Sequence, residues 1–140
     1  MSEPARIEGI DHVAIVVRSI EESLPRYRDL FGLDADAIVT MSTQRVRLCF
    51  LRLPAGGAGL ELIEPMDGES GVARFLASRG EGLHHVCFRT DDLPRDLELL
   101  LAHEAELIDR APREGAHGQV AFIHPRTLNA VLWELLERPQ

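Results

Sequence analysis

The chain repeats a histidine and a glutamate at one fixed separation. The distance along the sequence from His12 to His85 is the same as the distance from Glu61 to Glu134. Internal repeats of this kind indicate that a polypeptide is built from two similar structural modules. Because both residue types follow the same separation, we expect each module to supply one histidine and one glutamate.

The segments around these four positions support a duplication. Residues 10–15 resemble residues 83–88, and residues 59–64 resemble residues 132–137, including the outer glutamates Glu64 and Glu137. The segments are short and mostly apolar, which is typical of buried strands. The repeated histidines and glutamates are therefore expected on strands.

Hydrophobic periodicity and helix-capping residues predict the same βαβββ order in each half. The first helix should follow Ser19 and end at Gly32, and the equivalent helix should run from about Leu93 to His103 with Asp92 as its cap. The remaining strands are expected near residues 35–42, 45–53, 59–64, 106–109, 119–123 and 130–136. A short helix near residues 70–80 should link the halves.

These elements predict an α+β fold made of two βαβββ modules. The expected organisation is a single domain over residues 1–140, with module 1 at about 7–66 and module 2 at about 82–137. A curved four-stranded sheet leaves one face open, and pairing two such sheets buries both open faces. We therefore expect a curved mixed sheet around a cavity that contains the repeated polar residues and a metal.

Composition excludes several classes of partner. With 15 Lys and Arg against 23 Asp and Glu, the net charge is −8, which argues against nucleic acid or an anionic membrane as the partner. No apolar run approaches the ~20 residues of a membrane span, and the N-terminus lacks the pattern of a signal peptide. Cys49 and Cys87 lie in apolar segments and are expected to be free core thiols. A cytoplasmic location is expected.

The four repeated residues predict a metal centre. A carboxylate inside an apolar strand costs several kcal/mol unless it is paired or bound to a cation. Two imidazoles and two carboxylates suit a divalent Co, Zn, Ni or Mn ion and leave coordination positions open, as in catalytic sites. The alternative is that each residue is only a hydrogen-bonded core residue. The neighbouring His84 should point to the opposite strand face and act structurally.

The chain resembles the vicinal oxygen chelate superfamily, which includes glyoxalases, bleomycin resistance proteins and dioxygenases. Its motifs are most similar to the methylmalonyl-CoA epimerase family. The similarity is carried by residues 10–15, 61–65, 75–86, 115–118 and 120–125. The resemblance implies paired βαβββ modules around a metal held by His12, Glu61, His85 and Glu134. It also implies a homodimer.

The implied activity is a metal-dependent epimerase, an isomerase that interconverts the (R) and (S) forms of methylmalonyl-CoA or a similar short branched acyl-CoA. In this chemistry the C2 proton is removed through an enediolate, and the metal stabilises the developing charge. Glu134 is the first candidate for the base, and Glu61 is the second.

The acyl-CoA partner carries anionic groups, so cations and hydrogen-bond donors should contact it. Gln44, Arg47, His117 and Arg126 are the predicted substrate-binding residues, with Arg45 and Arg113 as further candidates. This chain departs from the usual epimerase pattern at residues 43–46, which leaves the acyl group open.

Three other functions share parts of this pattern. A glyoxalase-type lactoylglutathione lyase has the same fold, metal set and enediolate chemistry. A non-catalytic small-molecule binding or resistance protein keeps the fold but lacks the metal ligands. An iron-dependent extradiol dioxygenase requires two histidines and one carboxylate, so the second glutamate fits it poorly.

Overall fold

The computed structural model describes residues 3–140 as nine strands, three α-helices and one 3₁₀ turn. The elements of the first half are β1 (Ile7–Val16), α1 (Ile20–Phe31), β2 (Asp34–Ala35), β3 (Val39–Met41), β4 (Val46–Arg52), β5 (Gly59–Pro65) and α2 (Gly71–Arg79). Those of the second half are β6 (Gly82–Thr90), α3 (Leu93–Ala102), β7 (Arg113–Glu114), β8 (Gln119–Ile123), the 3₁₀ turn (Pro125–Thr127) and β9 (Trp133–Glu137).

The chain forms two compact units. The first unit is His12–His84, and the second unit combines Met1–Asp11 with His85–Gln140. In the first unit the strand order is β2-β4-β5-β1, with β3 also paired to β4. In the second unit it is β6-β9-β8-β7. The predicted α+β class with two βαβββ modules is confirmed, whereas the single-domain boundaries stay a prediction.

Each unit contains one parallel strand pair beside antiparallel pairs. β1 runs parallel to β5, with Ala14 opposite Glu61. β6 runs parallel to β9, with Cys87 opposite Glu134. Ala14 and Cys87 are separated along the chain by the same number of residues as His12 and His85, and so are Glu61 and Glu134. The sequence repeat is therefore also a repeat of strand register.

The helices α1 and α3 begin in the same way. The Ser19 side chain accepts a hydrogen bond from the Glu22 N–H, and the Asp92 side chain accepts one from the Arg95 N–H. These contacts satisfy amide groups that the first helical turn leaves without partners. At its other end, α1 stops at Gly32, which has a φ of 66° that glycine adopts without steric cost.

The repeated outer glutamates hold these two helices to their sheets. The Ile20 N–H donates to Glu64 Oε1 at 2.8 Å, and the Leu93 N–H donates to Glu137 Oε1 at 2.7 Å. Ile20 and Leu93 are the first residues of α1 and α3. A carboxylate at this position also interacts favourably with the positive end of the helix dipole.

The apolar cores of the two units have equivalent positions. Between α1 and the first sheet lies a cluster that includes Ile20, Cys49 and Leu62. The equivalent cluster beside α3 includes Leu93, Ala121 and Leu135. The side chains differ between the units, but the helix and the same two strands supply them in both. The two cores therefore have the same arrangement of elements, although their side chains differ.

Two predicted strands differ from the structure. The strand expected at 35–42 is divided into β2 and β3, which both pair with β4. The strand expected near 106–109 is wrong, because that stretch forms only an isolated bridge between Leu107 and Ile123. The physical reason is Asp109, whose carboxylate accepts the Phe122 N–H at 2.9 Å and replaces the next backbone acceptor of the ladder.

Cys49 and Cys87 are both buried and neither is in a disulfide, as expected from their apolar segments. Burial raises the pKa of the Cys49 thiol, and the nearby carboxylates of Asp36 and Glu21 raise it further. Among the described residues, no helix is both long enough and apolar enough to cross a membrane.

Replacing Glu137 with Ala should destabilise the protein by about 1–2 kcal/mol, because the buried end of α3 loses an acceptor and a favourable charge. Glu137→Gln should cost less, since a neutral acceptor remains. Urea unfolding measures both changes. Glu98→Ala, at an exposed position of the same helix, is the control; an equal loss in that variant would contradict the role of Glu137.

Cys49 and Cys87 should not react with a thiol reagent at pH 8 in the native protein. The raised pKa of Cys49 leaves less thiolate than a free cysteine has at that pH, and both side chains are buried. Colorimetric titration with and without denaturant measures this. Rapid labelling of the native protein would show that the core opens.

Candidate functional site

The first repeated pair joins β1 and β5. His12 and Glu61 are only 3% and 6% exposed, and His12 Nε2 lies 3.8 Å from Glu61 Oε2. The parallel register places Gly59 opposite His12 and Glu61 two residues further along. Because alternate residues of a strand share one face, this register brings the imidazole and the carboxylate to the same side of the first sheet.

The second repeated pair has the same construction in the second unit. His85 and Glu134 are 5% and 7% exposed, and His85 Nε2 lies 3.0 Å from Glu134 Oε1. Glu134 on β9 lies opposite Cys87 on β6, two residues beyond His85. Each unit therefore places a histidine nitrogen beside a buried carboxylate oxygen.

An aromatic ring supports each histidine, a feature that the sequence reasoning missed. The ring of Phe50 meets His12 edge-on at 5.3 Å, and the ring of Phe122 meets His85 edge-on at 5.3 Å. Phe50 lies opposite Glu61 on β4, and Phe122 lies opposite Glu134 on β8. The separation of the two phenylalanines is one position shorter than that of the histidines, so a search at the histidine spacing does not find them.

The chemistry of this donor set fits a divalent metal. Imidazole nitrogen and carboxylate oxygen are both ligands of Zn²⁺, Co²⁺, Ni²⁺ and Mn²⁺. The phenylalanine rings pack against the imidazoles and restrict their orientation, as supporting residues commonly do around metal ligands. Each unit thus supplies one nitrogen and one oxygen donor in a buried environment.

His84, the neighbour of His85, contacts a different element. Its ring meets Phe75 of α2 edge-on at 5.1 Å. This contact agrees with the structural role expected for His84.

Arg47, one of the predicted substrate-binding residues, forms hydrogen bonds with carboxylates of the protein. Its guanidinium donates to Glu64 at 2.9 Å and to Glu21 at 3.1 Å. The hydrogen bonds that Arg47 donates to Glu21 and then to Glu64 hold the pKa of Arg47 above its usual value, and Arg47 lowers the pKa of Glu21. Arg47 therefore links α1 to β4 and β5, and its contact with substrate stays a prediction.

Arg126 is also paired with a carboxylate. Its guanidinium donates to Glu106 at 2.7 Å, which raises the pKa of Arg126 and lowers the pKa of Glu106. Arg126 belongs to the 3₁₀ turn, and its side chain is 74% exposed. Solvent screening makes such exposed pairs weak, so a substrate anion can compete for this arginine.

Gln44 and His117 are half-buried residues of turns. Gln44 belongs to the turn between β3 and β4, where its N–H donates to the Met41 carbonyl at 3.1 Å. His117 belongs to the connection between β7 and β8, which the Gly115 N–H closes by donating to the Gly118 carbonyl at 2.8 Å. At Gly118 a Cβ atom would come within 2.3 Å of the Glu137 carbonyl oxygen, so this position requires glycine.

The predicted substrate-binding residues divide between the units. Gln44 and Arg47 belong to the first unit, and His117 and Arg126 belong to the second. Their contact with a substrate stays a prediction, as do the catalytic roles of Glu61 and Glu134.

Comparison with known proteins gives a consistent result. A family model described as the glyoxalase/bleomycin resistance protein/dioxygenase superfamily matches residues 11–122. An uncharacterized protein of Bacillus subtilis, YqjC, is 42% identical over 129 residues, which is 91% of each chain. The mitochondrial methylmalonyl-CoA epimerase of Dictyostelium discoideum is 35% identical over 134 residues, covering 94% of this chain and 80% of that protein.

Solved structures of methylmalonyl-CoA epimerases are also similar to this chain. The crystal structure of methylmalonyl-CoA epimerase from Mycobacterium tuberculosis aligns with a TM-score of 0.93 at 29% identity, covering 100% of this chain and 94% of that one. A methylmalonyl-CoA epimerase in complex with methylmalonyl-CoA and ammonium aligns with a TM-score of 0.89 at 29% identity, covering 95% and 96% of the two chains.

The repeated pairs predict metal binding that depends on the histidines. The purified chain should bind Co²⁺, and His85→Ala should weaken binding by at least about 10- to 100-fold, the loss typical of changes around a metal's ligands. Calorimetric titration of the metal-free protein measures the affinity. His103→Ala is the control, since His103 is an exposed residue at the end of α3. Unchanged affinity in His85→Ala would contradict the assignment.

Proposed function

The chain belongs to the glyoxalase/bleomycin resistance protein/dioxygenase superfamily, and on that premise we propose that it is a metal-dependent epimerase of methylmalonyl-CoA or a similar short branched acyl-CoA. The superfamily predicted from the sequence motifs is confirmed by this match. The observation that carries the proposal is the buried histidine–glutamate pair that each unit repeats in the same strand register. Relatives named methylmalonyl-CoA epimerase, which match most of the chain, support the substrate class.

In this proposal His12, Glu61, His85 and Glu134 are the metal ligands. The nitrogen and oxygen donors suit a divalent Co, Zn, Ni or Mn ion. When bound, such an ion supplies Lewis-acid chemistry that makes a proton next to a carbonyl group easier to remove. The proposed ligands are all less than one-tenth exposed, so water has little access to them.

The carboxylates are the proposed proton-transfer groups. Inverting C2 requires proton removal from one face and proton return to the other, by two groups or by one group that reaches both faces. Glu134 is the first candidate for the base, and Glu61, its counterpart in the repeat, is the second.

The proposed substrate-binding residues differ in whether they must first release a carboxylate of the protein. Gln44 and His117 are half-buried turn residues, and we propose that they hydrogen-bond the acyl carboxylate or the thioester. Arg47 and Arg126 must first exchange a carboxylate partner for the substrate. Arg126, which is more exposed, does this at lower cost.

A homodimer and a cytoplasmic location complete the proposal. The homodimer comes from the family resemblance. The location is supported by Cys49 and Cys87, neither of which is in a disulfide, since thiols stay reduced in that compartment.

The alternative is a lactoylglutathione lyase of the glyoxalase type. It is favoured by the same observation, since two histidines and two glutamates also suit that reaction. The epimerase acts on an acyl-CoA thioester, whereas the lyase acts on the hemithioacetal of methylglyoxal and glutathione, so the substrate decides between them.

Incubation of cobalt-loaded protein with one epimer of methylmalonyl-CoA in D₂O should give C2 deuteration and the other epimer. The reason is that inversion through proton transfer exchanges the C2 hydrogen with solvent. Glu134→Gln should slow exchange by about 10²- to 10⁴-fold, the usual contribution of a positioned base. Proton NMR measures both products.

Glu98→Gln is the matched control, because Glu98 is an exposed carboxylate on α3. Full activity in Glu134→Gln would contradict the role of Glu134 as the base. Absence of exchange in a protein that binds cobalt would contradict the acyl-CoA substrate. The hemithioacetal of methylglyoxal and glutathione then tests the lyase alternative.

A further inference from the structure

A cluster in the second unit places two arginines on one buried carboxylate. The side chain of Asp11 is 1% exposed. It accepts hydrogen bonds from Arg89 Nη2 at 3.0 Å and from Arg138 Nε and Nη2 at 2.8 and 3.1 Å. A buried carboxylate requires a cation, and one arginine satisfies that requirement. The second arginine gives the cluster an excess positive charge.

This excess distinguishes the cluster from the other arginine–carboxylate groups. Arg47 contacts two carboxylates, Arg45 contacts two, and Arg126 contacts one. In the part of the chain that the structure describes, every other arginine–carboxylate group has at least as many carboxylates as arginines. Among the arginine–carboxylate groups of the described residues, the cluster around Asp11 is therefore the one in which arginines outnumber carboxylates.

The two guanidinium groups are ordered and accessible at the same time. The side chains of Arg89 and Arg138 are 47% and 36% exposed. A guanidinium carries five N–H donors, and the contacts with Asp11 use one nitrogen of Arg89 and two of Arg138. Asp11 holds both planar groups in place, so a ligand would not bear the full entropic cost of ordering them.

The cluster has a fixed relation to the proposed metal ligands of its own unit. Arg89 follows His85 by four residues on β6, and Arg138 follows Glu134 by four residues, directly after β9. Four residues of extended chain span about 13 Å. In an acyl-CoA, the long pantetheine arm separates the reacting thioester from the phosphate groups. Asp11 itself directly precedes His12, so this separation applies to His85 and Glu134. A phosphate site displaced from these two ligands along their strands matches this chemistry.

We propose that Arg89 and Arg138, held by Asp11, bind the phosphate groups of the acyl-CoA substrate. This assignment rests on the proposed acyl-CoA function. Paired arginines suit phosphate because their N–H groups match its oxygens in pairs. The excess charge of the cluster remains after Asp11 is neutralised, which makes this site better suited to an anion than the sites at Arg47 and Arg126.

The test uses the single substitutions Arg89→Gln and Arg138→Gln. Each leaves one arginine on Asp11, so the buried carboxylate keeps a partner and the variant should fold. Each should raise the KM for methylmalonyl-CoA about tenfold, the usual effect of losing a charge-assisted hydrogen bond. The KM for methylmalonyl-pantetheine, which lacks the nucleotide phosphates, should not change. Arg52→Gln is the control, since Arg52 is exposed and pairs with Asp36.

Calorimetric binding of CoA itself gives a readout that does not need turnover. The Kd should rise about tenfold in each variant and depend less on salt than in the wild type, because a screened contact has been removed. Should the wild type epimerise neither thioester yet bind CoA in this arginine-dependent way, the phosphate site stands and the epimerase proposal fails.

Two results would overturn the site while the epimerase proposal stands. One is an active enzyme in which neither substitution changes the KM or the Kd for CoA. The other is an equal rise in KM for both thioesters, which would place the arginines at the acyl end or in the scaffold.

Discussion

Parallel pairing between a histidine strand and a glutamate strand underlies the rest of the structure. β1 and β5 pair in the same register as β6 and β9, so that each glutamate lies two positions beyond the residue opposite its histidine. A shift of one residue would turn every side chain to the opposite face. The register is therefore what keeps both polar groups of each pair on one buried face, beside the phenylalanine of the adjacent strand.

The glutamate strands also position the helices. In each glutamate strand the two glutamates are three residues apart, so their side chains lie on opposite faces of the strand. Glu61 and Glu134 lie beside the histidines, whereas Glu64 and Glu137 accept the first amide groups of α1 and α3. A strand that slips would lose both contacts together. The repeated Glu-x-x-Glu spacing thus couples the candidate site to the helix packing that stabilises each sheet.

The polar residues of the candidate site could be predicted from the sequence more completely than the structure around them. The shared separation of the histidines and of the glutamates identified the four polar residues. Burial of a charge is costly, so a carboxylate that recurs in two apolar strands indicates a site that compensates this cost. The same reasoning failed near residues 106–109, where the Asp109 carboxylate takes the place of a backbone acceptor. It also missed Arg89 and Arg138, since neither the sequence pattern nor the repeat indicates that both contact Asp11.

The sequence by itself determined the duplication, the α+β class, the helix caps and the residues of the two polar pairs, because these follow from local spacing and side-chain chemistry. Tertiary structure decided which cations are already neutralised and which are in excess. Arg47 and Arg126 are paired with carboxylates distant in sequence, and Arg89 and Arg138 share one. Electrostatic interactions depend on distance in space, and only the folded chain sets those distances.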